Sequence, residues 1–227
     1  MANIPKIDAD LEVINAQRTP CILVLDTSGS MSSGGRIDKL NDGLAAFQRT
    51  VTSDETLCQH VMLMIIGFGT EAEFLCDWTQ ADEFQAPVLK ADGQTAMGEA
   101  MRMAHAAIVD IRVKLKSKGI PYTRPWIFLI SDGGPNDEGW EQAAAESRKA
   151  CEDKLGPVVW PIAVPPDADG AALKLFARGD MKVYSLGEDA NFRSFFERLS
   201  STLGALCMTP PGQKIQIQAP TDLVIDA

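Results

Sequence analysis

Four short runs of almost unbroken apolar residues constrain the fold of this chain more than any other feature. They are residues 21–26 (CILVLD), 61–68 (VMLMIIGF), 126–131 (WIFLIS) and 157–164 (PVVWPIAV). Continuous apolarity is typical of strands covered on both faces of a parallel sheet, whereas a strand with one face in water alternates polar and apolar residues. The sequence therefore predicts a central sheet with helices packed on both faces.

The segments between these runs carry helical periodicity. Apolar residues recur at spacings of three and four over residues 37–51, over a helix that begins near Thr95, and over residues 192–206. A further helix is predicted from about residue 138 to residue 153, and a short one over residues 169–177. Strands that alternate with helices in this way are typical of an α/β domain with a mainly parallel sheet.

Two further strands complete the predicted sheet. Residues 71–78 (EAEFLCDW) follow the second apolar run after a tight turn at Gly69 and Thr70, which predicts an antiparallel strand at one edge. Residues 181–186 (MKVYSL) predict another short strand. The expected fold is thus a doubly wound, Rossmann-like sheet, mostly parallel with one antiparallel edge strand.

A chain of 227 residues suits one large domain. We assign this domain to residues 20–206, after an N-terminal extension over residues 1–19. Residues 207–227 contain short apolar stretches and form either a free tail or an added edge strand. The N-terminus has neither a basic start nor an apolar core, so a secretory signal is not expected.

Composition and charge exclude several functional classes. The net charge of −10 and the isoelectric point near 4.7 argue against partners with negatively charged surfaces, both nucleic acids and anionic membranes. No apolar run is long enough to cross a membrane. The five cysteines form no CxxC pair, which favours reduced thiols in a cytoplasmic protein. His60 and His105 are the only histidines, which makes a His-based zinc site or a Ser-His-Asp triad hard to build.

Three polar loops carry the chemistry expected of this chain. Asp26, Ser28 and Ser30 (DTSGS) follow the first strand, Thr95 opens a helix after DGQ, and Asp132 (SDGG) follows the strand over residues 126–131. Because the carboxyl ends of parallel strands meet at one edge of the sheet, these loops are predicted to converge there. In an extended segment alternate residues face the same side, so the spacing within DxSxS brings its three side chains together.

Carboxylate and hydroxyl oxygens without histidine or cysteine suit hard divalent cations. The sequence therefore predicts a site for Mg²⁺, with Mn²⁺ or Ca²⁺ as alternatives. Two carboxylates and three hydroxyls leave coordination positions for another ligand, which we expect to be an acidic side chain of a partner protein. Asp92 and Asp137 lie beside the loops and are expected to be solvated turn residues.

The stretches LVLDTSGSMS, DGQTAMGEA and IFLISDGGPND resemble the three parts of the metal-ion-dependent adhesion site of von Willebrand factor type A (vWA) domains. Asp26, Ser28, Ser30, Thr95 and Asp132 match that pattern in order, and the likeness extends over residues 20–206. The sequence departs from the family at Gln94 and Gly134, neither of which is an expected metal ligand. The resemblance implies the vWA fold and a metal-dependent scaffold for protein partners.

The stretch GIPYTRPWIFLISDGGPND is more specifically similar to bacterial tellurium-resistance TerY-type vWA proteins. This likeness implies a cytoplasmic, phosphorylation-linked stress-response assembly, with a PP2C-like phosphatase and a Ser/Thr kinase as candidate partners. The metal site is expected to bridge to a partner rather than to catalyse a reaction, so the chain is not expected to be an enzyme.

Two other functions stay open at the level of sequence. A Mg²⁺-dependent phosphohydrolase or phosphotransferase would need a nucleophile or activated water and a general base, yet the chain has neither a DxD loop nor a GxxxxGK phosphate loop. A structural subunit whose Asp and Ser loops bind nothing is the other alternative, since such residues also form ordinary turns.

Overall fold

The computed structural model describes residues 16–187, 190–209 and 224–225. Its centre is a seven-stranded sheet in the order β3-β2-β1-β4-β5-β6-β7. The strands are β1 (Thr19–Asp26), β2 (Val61–Phe68), β3 (Ala72–Gln80), β4 (Trp126–Ser131), β5 (Val158–Ala163), β6 (Tyr184–Ser185) and β7 (Val224–Ile225). Strands β2, β1, β4, β5 and β6 run parallel to their neighbours in this series, which confirms the predicted fold class.

The apolar runs form the central strands because both of their faces are covered. Every residue of β1 and β2 is buried. Alternate side chains of β1 enter different cores, with Leu23 and Leu25 on one face of the sheet and Ile22 and Val24 on the other. Continuous apolarity is thus the sequence signature of a strand between two helical layers.

Six helices form those two layers. They are α1 (Arg36–Ser53), α2 (Glu55–His60), α3 (Met97–Ser117), α4 (Trp140–Glu152), α5 (Gly170–Leu175) and α6 (Phe192–Cys207). Helices α1, α2 and α6 bury their apolar residues on one face of the sheet, and α3, α4 and α5 bury theirs on the opposite face. The predicted arrangement of helices on both faces is confirmed.

The predicted hairpin is also present, with β3 antiparallel to β2 at one edge of the sheet. At the other edge Val224 and Ile225 pair antiparallel with β6. The predicted strand over residues 181–186 is shorter in the structure, where only Tyr184 and Ser185 have strand pairing.

Helix α2 differs from the sequence-based expectation, which contained no helix between α1 and β2. Asp54 ends α1 in an extended conformation, and its carboxylate accepts a hydrogen bond from the backbone N–H of Leu57 at 2.9 Å. This N-terminal cap starts a new helix of only six residues. A helix of this length has too few positions to display a periodicity.

Among the helices that the structure describes, none is long and apolar enough to span a membrane.

The strand order reverses between β1 and β4. From β1 the chain crosses to β2 on one side, whereas β4 lies against the other side of β1. At such a switch point the loops after neighbouring strands diverge and leave a crevice at their carboxyl ends, where α/β sheets bind ligands. The loops that begin after Asp26 and after Ser131 border this crevice.

Candidate metal site

Asp26 and Ser131 are the final residues of the parallel neighbours β1 and β4. The register pairs Leu25 with Ile130, so the next residue of each strand lies at the same level. The Ser131 hydroxyl donates a short hydrogen bond to Oδ2 of Asp26. The backbone N–H of Ser28 donates to Oδ1 of Asp26 at 2.8 Å. Both oxygens of this fully buried carboxylate therefore have partners.

A chain of hydrogen bonds connects the two strand ends through the predicted ligands. The Oγ atoms of Ser28 and Ser30 lie 2.9 Å apart, and the Ser30 hydroxyl donates to Oδ1 of Asp132 at 2.6 Å. Ser28 and Asp132 are buried, whereas Ser30 is exposed. The cluster thus opens to solvent at Ser30 and has its carboxylates at the bottom.

Backbone hydrogen bonds bring the third predicted loop to the same edge. Gly29 N–H donates to the carbonyl of Gly93 at 3.1 Å, and Asp92 N–H donates to the carbonyl of Thr27 at 2.8 Å. Gly93 has a φ of +77°, and a Cβ there would lie 2.0 Å from Oγ1 of Thr70. Only glycine can therefore make this close approach.

Two hydrogen bonds join Thr95 to Asn136, in the loop after β4. The Thr95 N–H donates to the Asn136 side-chain carbonyl at 2.9 Å, and Asn136 N–H donates back to the Thr95 carbonyl at 3.2 Å. Thr95 itself is buried. The structure thus brings all three predicted loops together. The expectation that α3 begins near Thr95 is corrected by two residues, because the helix begins at Met97.

Asp137 caps that helix from a different loop. Its two carboxylate oxygens accept from the N–H groups of Gly98 at 3.1 Å and Glu99 at 3.0 Å. Asp137 lies in a bend and is partly exposed, as expected of a turn residue, and its carboxylate also binds orphan donors of the first turn of α3. A cap supplied by a neighbouring loop leaves no local spacing signal in the sequence.

Burial controls the electrostatics of Asp26. Desolvation raises the pKa of its carboxyl from 3.8 to about 6, although hydrogen bonds from Ser131 and Ser28 act in the opposite direction. The nearby charge of Asp132 raises this pKa further. A bound cation would relieve both effects, because it replaces the lost solvation and separates the two negative charges.

Sequence reasoning missed a positively charged side chain, that of Arg36, at this site. The Arg36 guanidinium donates through Nη1 to Oδ2 of Asp132, and through Nη2 to Oδ2 of Asp167 at 3.0 Å. Arg36 is 7% exposed. The signal available in the sequence was an arginine directly after a loop with Asp and Ser residues, but its distance from Asp132 along the chain hid the pairing.

The donor set fits a hard divalent cation. Four carboxylate oxygens and the hydroxyls of Ser28 and Ser30 lie in one hydrogen-bonded cluster, with Thr95 on the adjacent loop. Within the described part of the chain, no three His, Cys, Asp or Glu side chains come together to hold a metal. A cation at this edge would therefore need hydroxyl ligands, which favours Mg²⁺, Mn²⁺ or Ca²⁺ on the basis of donor chemistry.

A sequence model of the von Willebrand factor type A domain family matches residues 21–135 of this chain. The chain belongs to that family. The matched segment runs from β1 to the loop after β4 and so contains all five predicted ligands. A comparison of the sequence with curated proteins finds no match.

Solved structures show the same fold at low sequence identity. The von Willebrand factor type A protein from Catenulispora acidiphila is 17% identical, with a TM-score of 0.59 over 82% of this chain and 42% of that one. Proximal thread matrix protein 1 from the mussel byssus is 13% identical, with a TM-score of 0.58 over 83% of this chain and 49% of that one.

A further structure of the mussel protein is described with a zinc-occupied MIDAS motif. It is 16% identical, with a TM-score of 0.56 over 86% of this chain and 47% of that one. The present chain therefore spans less than half the length of these three structures.

Proposed function

We propose that this protein is a metal-dependent docking module whose site resembles the metal-ion-dependent adhesion site. Asp26, Ser28, Ser30, Thr95 and Asp132 would hold the ion, with Mg²⁺ as the expected cation. The observation that carries the proposal is the hydrogen-bonded chain from Ser28 through Ser30 to Asp132 at the switch point of the sheet. Such short contacts between oxygen donors already provide the approximate convergence that a small ion requires.

The charge of the site supports an acidic partner. Asp26 and Asp132 contribute two negative charges and Arg36 one positive charge, and all three side chains are buried. A divalent cation would turn this balance from one net negative to one net positive charge. A carboxylate from another protein would restore neutrality and fill an open coordination position at the exposed end of the cluster, near Ser30. The role of the ion would be to bridge two proteins.

Binding is favoured over catalysis because the sequence has neither a DxD nucleophile loop nor a GxxxxGK phosphate loop. Each oxygen of Asp26 and Asp132 accepts a hydrogen bond from Ser28, Ser131, Ser30 or Arg36. Each of these oxygens keeps a second lone pair, which a metal ion can use. We therefore propose that the protein is not an enzyme, and that the phosphohydrolase or phosphotransferase alternative is the weaker one.

The biological setting is proposed from the resemblance to TerY-type proteins. We propose that the protein acts in the cytoplasm, in a phosphorylation-linked assembly for tellurium resistance and stress response. A PP2C-like phosphatase and a Ser/Thr kinase are the candidate partners. Residues 119–137, which carry this likeness, include β4 and Asp132, so the similar segment overlaps the proposed metal site.

A titration and a capture experiment test the proposal together. The wild-type protein, Ser30→Ala and Ser33→Ala are each titrated with MgCl₂ by calorimetry and then used as bait in native lysate, with or without EDTA. Ser30 and Ser33 are both exposed, so neither variant should disturb the core. Wild type and Ser33→Ala should bind Mg²⁺ and retain partners that EDTA releases, whereas Ser30→Ala should bind both more weakly. Equal Mg²⁺ binding by all three proteins, or none by wild type, would contradict the proposed site.

A further inference from the structure

Arg36 is placed beside the site by an unusual entry into α1. The chain leaves DTSGS as a 3₁₀ segment, and Gly34 and Gly35 then adopt φ values of +60° and +67°. A Cβ on Gly34 would meet no atom within 4 Å, so steric space does not explain this glycine. The left-handed backbone does, because it reverses the chain direction at little cost only for glycine. The first residue of α1 is thereby directed back toward the carboxyl ends of β1 and β4.

The two ion pairs of Arg36 have very different surroundings. The Arg36 side chain is 8% exposed and that of Asp132 is fully buried, whereas the Asp167 side chain is 74% exposed. A buried arginine needs a paired charge, since desolvation without one is strongly unfavourable. The pair with Asp132 provides this compensation inside the protein. The pair with Asp167 is in contact with solvent and is correspondingly weaker.

Asp132 is the point where Arg36 and the proposed metal site meet. One of its oxygens accepts from Ser30, in the ligand cluster, and the other accepts from the guanidinium. A divalent ion bound by this cluster would share a single carboxylate with a positive charge. In a poorly solvated site the repulsion between the ion and the guanidinium is large. The guanidinium also neutralises part of the negative charge of Asp132 that would otherwise attract the ion.

We infer that Arg36 is an internal competitor of the divalent cation and sets the affinity of the site, an inference that rests on the proposed function. Binding of the ion weakens the contact between Arg36 and Asp132. The guanidinium then remains paired with Asp167, which is already 3.0 Å away and exposed to solvent. The affinity for metal is therefore lower than the five oxygen ligands alone would give.

This exchange connects the metal to the protein surface. Asp167 lies in the loop between β5 and α5, and Asp169 of the same loop would lie 3.3 Å from a Cβ placed on Gly134. The loop that contains Asp167 therefore borders the loop that contains Asp132. A stronger pair between Arg36 and Asp167 changes the charge of the surface beside the metal, where a partner would bind.

Calorimetric titration with MgCl₂ and with MnCl₂ tests the competition directly. Arg36→Met removes the charge but retains an unbranched side chain. It should bind Mg²⁺ more tightly than wild type by about tenfold or more, because the repulsion and the competing pair are both gone. Arg178→Met is the matched control. Arg178 also forms an ion pair, with Asp180. It lies near Arg124 and Pro157, which precede β4 and β5, and so it is at the amino ends of the strands, away from the metal site. The affinity of Arg178→Met for Mg²⁺ should equal that of wild type.

The role of Asp167 has its own test in a double-mutant cycle. Asp167→Asn should weaken Mg²⁺ binding severalfold in the wild-type background, because Arg36 loses its alternative partner. In the Arg36→Met background the same substitution should have no comparable effect. An equal effect in both backgrounds would indicate simple attraction of the cation by Asp167. It would overturn the inferred shift of Arg36 from Asp132 to Asp167.

The outcomes separate this inference from the proposed function. If wild type binds Mg²⁺ and Arg36→Met binds it equally or more weakly, Arg36 is not a competitor, although the metal site stands. If no variant binds either cation, the metal site itself is refuted. Should Arg36→Met fail to fold, ¹⁵N NMR of the wild-type arginine Nε–H groups provides the test. The Arg36 resonance should shift during the titration, and an unchanged resonance in a protein that binds Mg²⁺ would overturn the inference.

Discussion

Asp26 should reduce the stability of the metal-free protein at neutral pH, and Asp26→Asn should reverse this effect. An asparagine can retain the local hydrogen bonds. Its Oδ1 accepts from the N–H of Ser28, and its Nδ2 donates to the Ser131 hydroxyl, which can then donate to the carbonyl of Gly133 at 3.1 Å. The substitution therefore removes the buried negative charge with little loss of hydrogen bonding.

The pKa of Asp26 gives the size of the effect. Burial raises this pKa from 3.8 to about 6. Between these values the folded protein keeps a proton that the unfolded chain has lost, so the contribution of Asp26 to stability is present at low pH and declines as the pH rises through this range. A shift of about 2 pKa units corresponds to about 3 kcal/mol of the free energy of unfolding. This amount is an upper bound on the gain from Asp26→Asn at neutral pH.

Urea unfolding in EDTA, at about pH 7.5 and about pH 4, measures the gain. Asp26→Asn should exceed wild type in the free energy of unfolding by up to about 3 kcal/mol at the higher pH and match it at the lower. The exposed Asp42, within α1, offers a control substitution, Asp42→Asn, which should change little at either pH. Because variants are compared at the same pH, titration of other groups cancels.

Metal should stabilise wild type more than Asp26→Asn. Mg²⁺ should stabilise wild type, because a ligand that binds only the folded state shifts the folding equilibrium toward it, and Asp26→Asn should respond weakly. If Asp26→Asn is instead destabilised by the same amount at both pH values, the reasoning is refuted. The Asp26 carboxylate would then be a structural hydrogen-bond acceptor without a desolvation penalty.

Two further predictions concern the fold around the site. Gly43→Ala should lower the free energy of unfolding by about 1 to 2 kcal/mol in a urea titration, because a Cβ there would lie 2.8 Å from Cβ of Phe192 in α6. Gly204→Ala should not lower it, because a Cβ there would lie 4.0 Å from its nearest neighbour, Cδ2 of Leu57. His105 should make the protein less stable in acid. Burial lowers its pKa from 6.5 to about 4, so the contribution of the neutral imidazole to stability is lost as the pH falls through that range. His105→Gln should therefore lose less stability than wild type between about pH 6.5 and pH 4, by about 3 kcal/mol, and equal losses would contradict this assignment.

The sequence alone predicted the layers of the fold and the three loops of the site. Continuous apolar runs and helical periodicity are local signals that indicate how many sides of a strand or helix are buried. The turn at Gly69 is a local signal for a hairpin. From these signals followed the parallel sheet, its antiparallel edge strand and the placement of the loops with Asp26, Thr95 and Asp132 at one end of the sheet. Short elements gave too little signal, which is why α2 was missed and β6 was predicted too long.

Only the tertiary structure showed what surrounds those ligands. Arg36 pairs with Asp132 across 96 positions and with Asp167 across 131, and Asp137 caps α3 across 38 and 39. The raised pKa of Asp26 likewise depends on complete burial under neighbouring elements. Distance in space and access to solvent govern these interactions, and neither is encoded in the spacing of residues along the chain. The sequence thus predicted which polar loops lie at one end of the sheet, and the fold decided which charged group and which buried environment surround them.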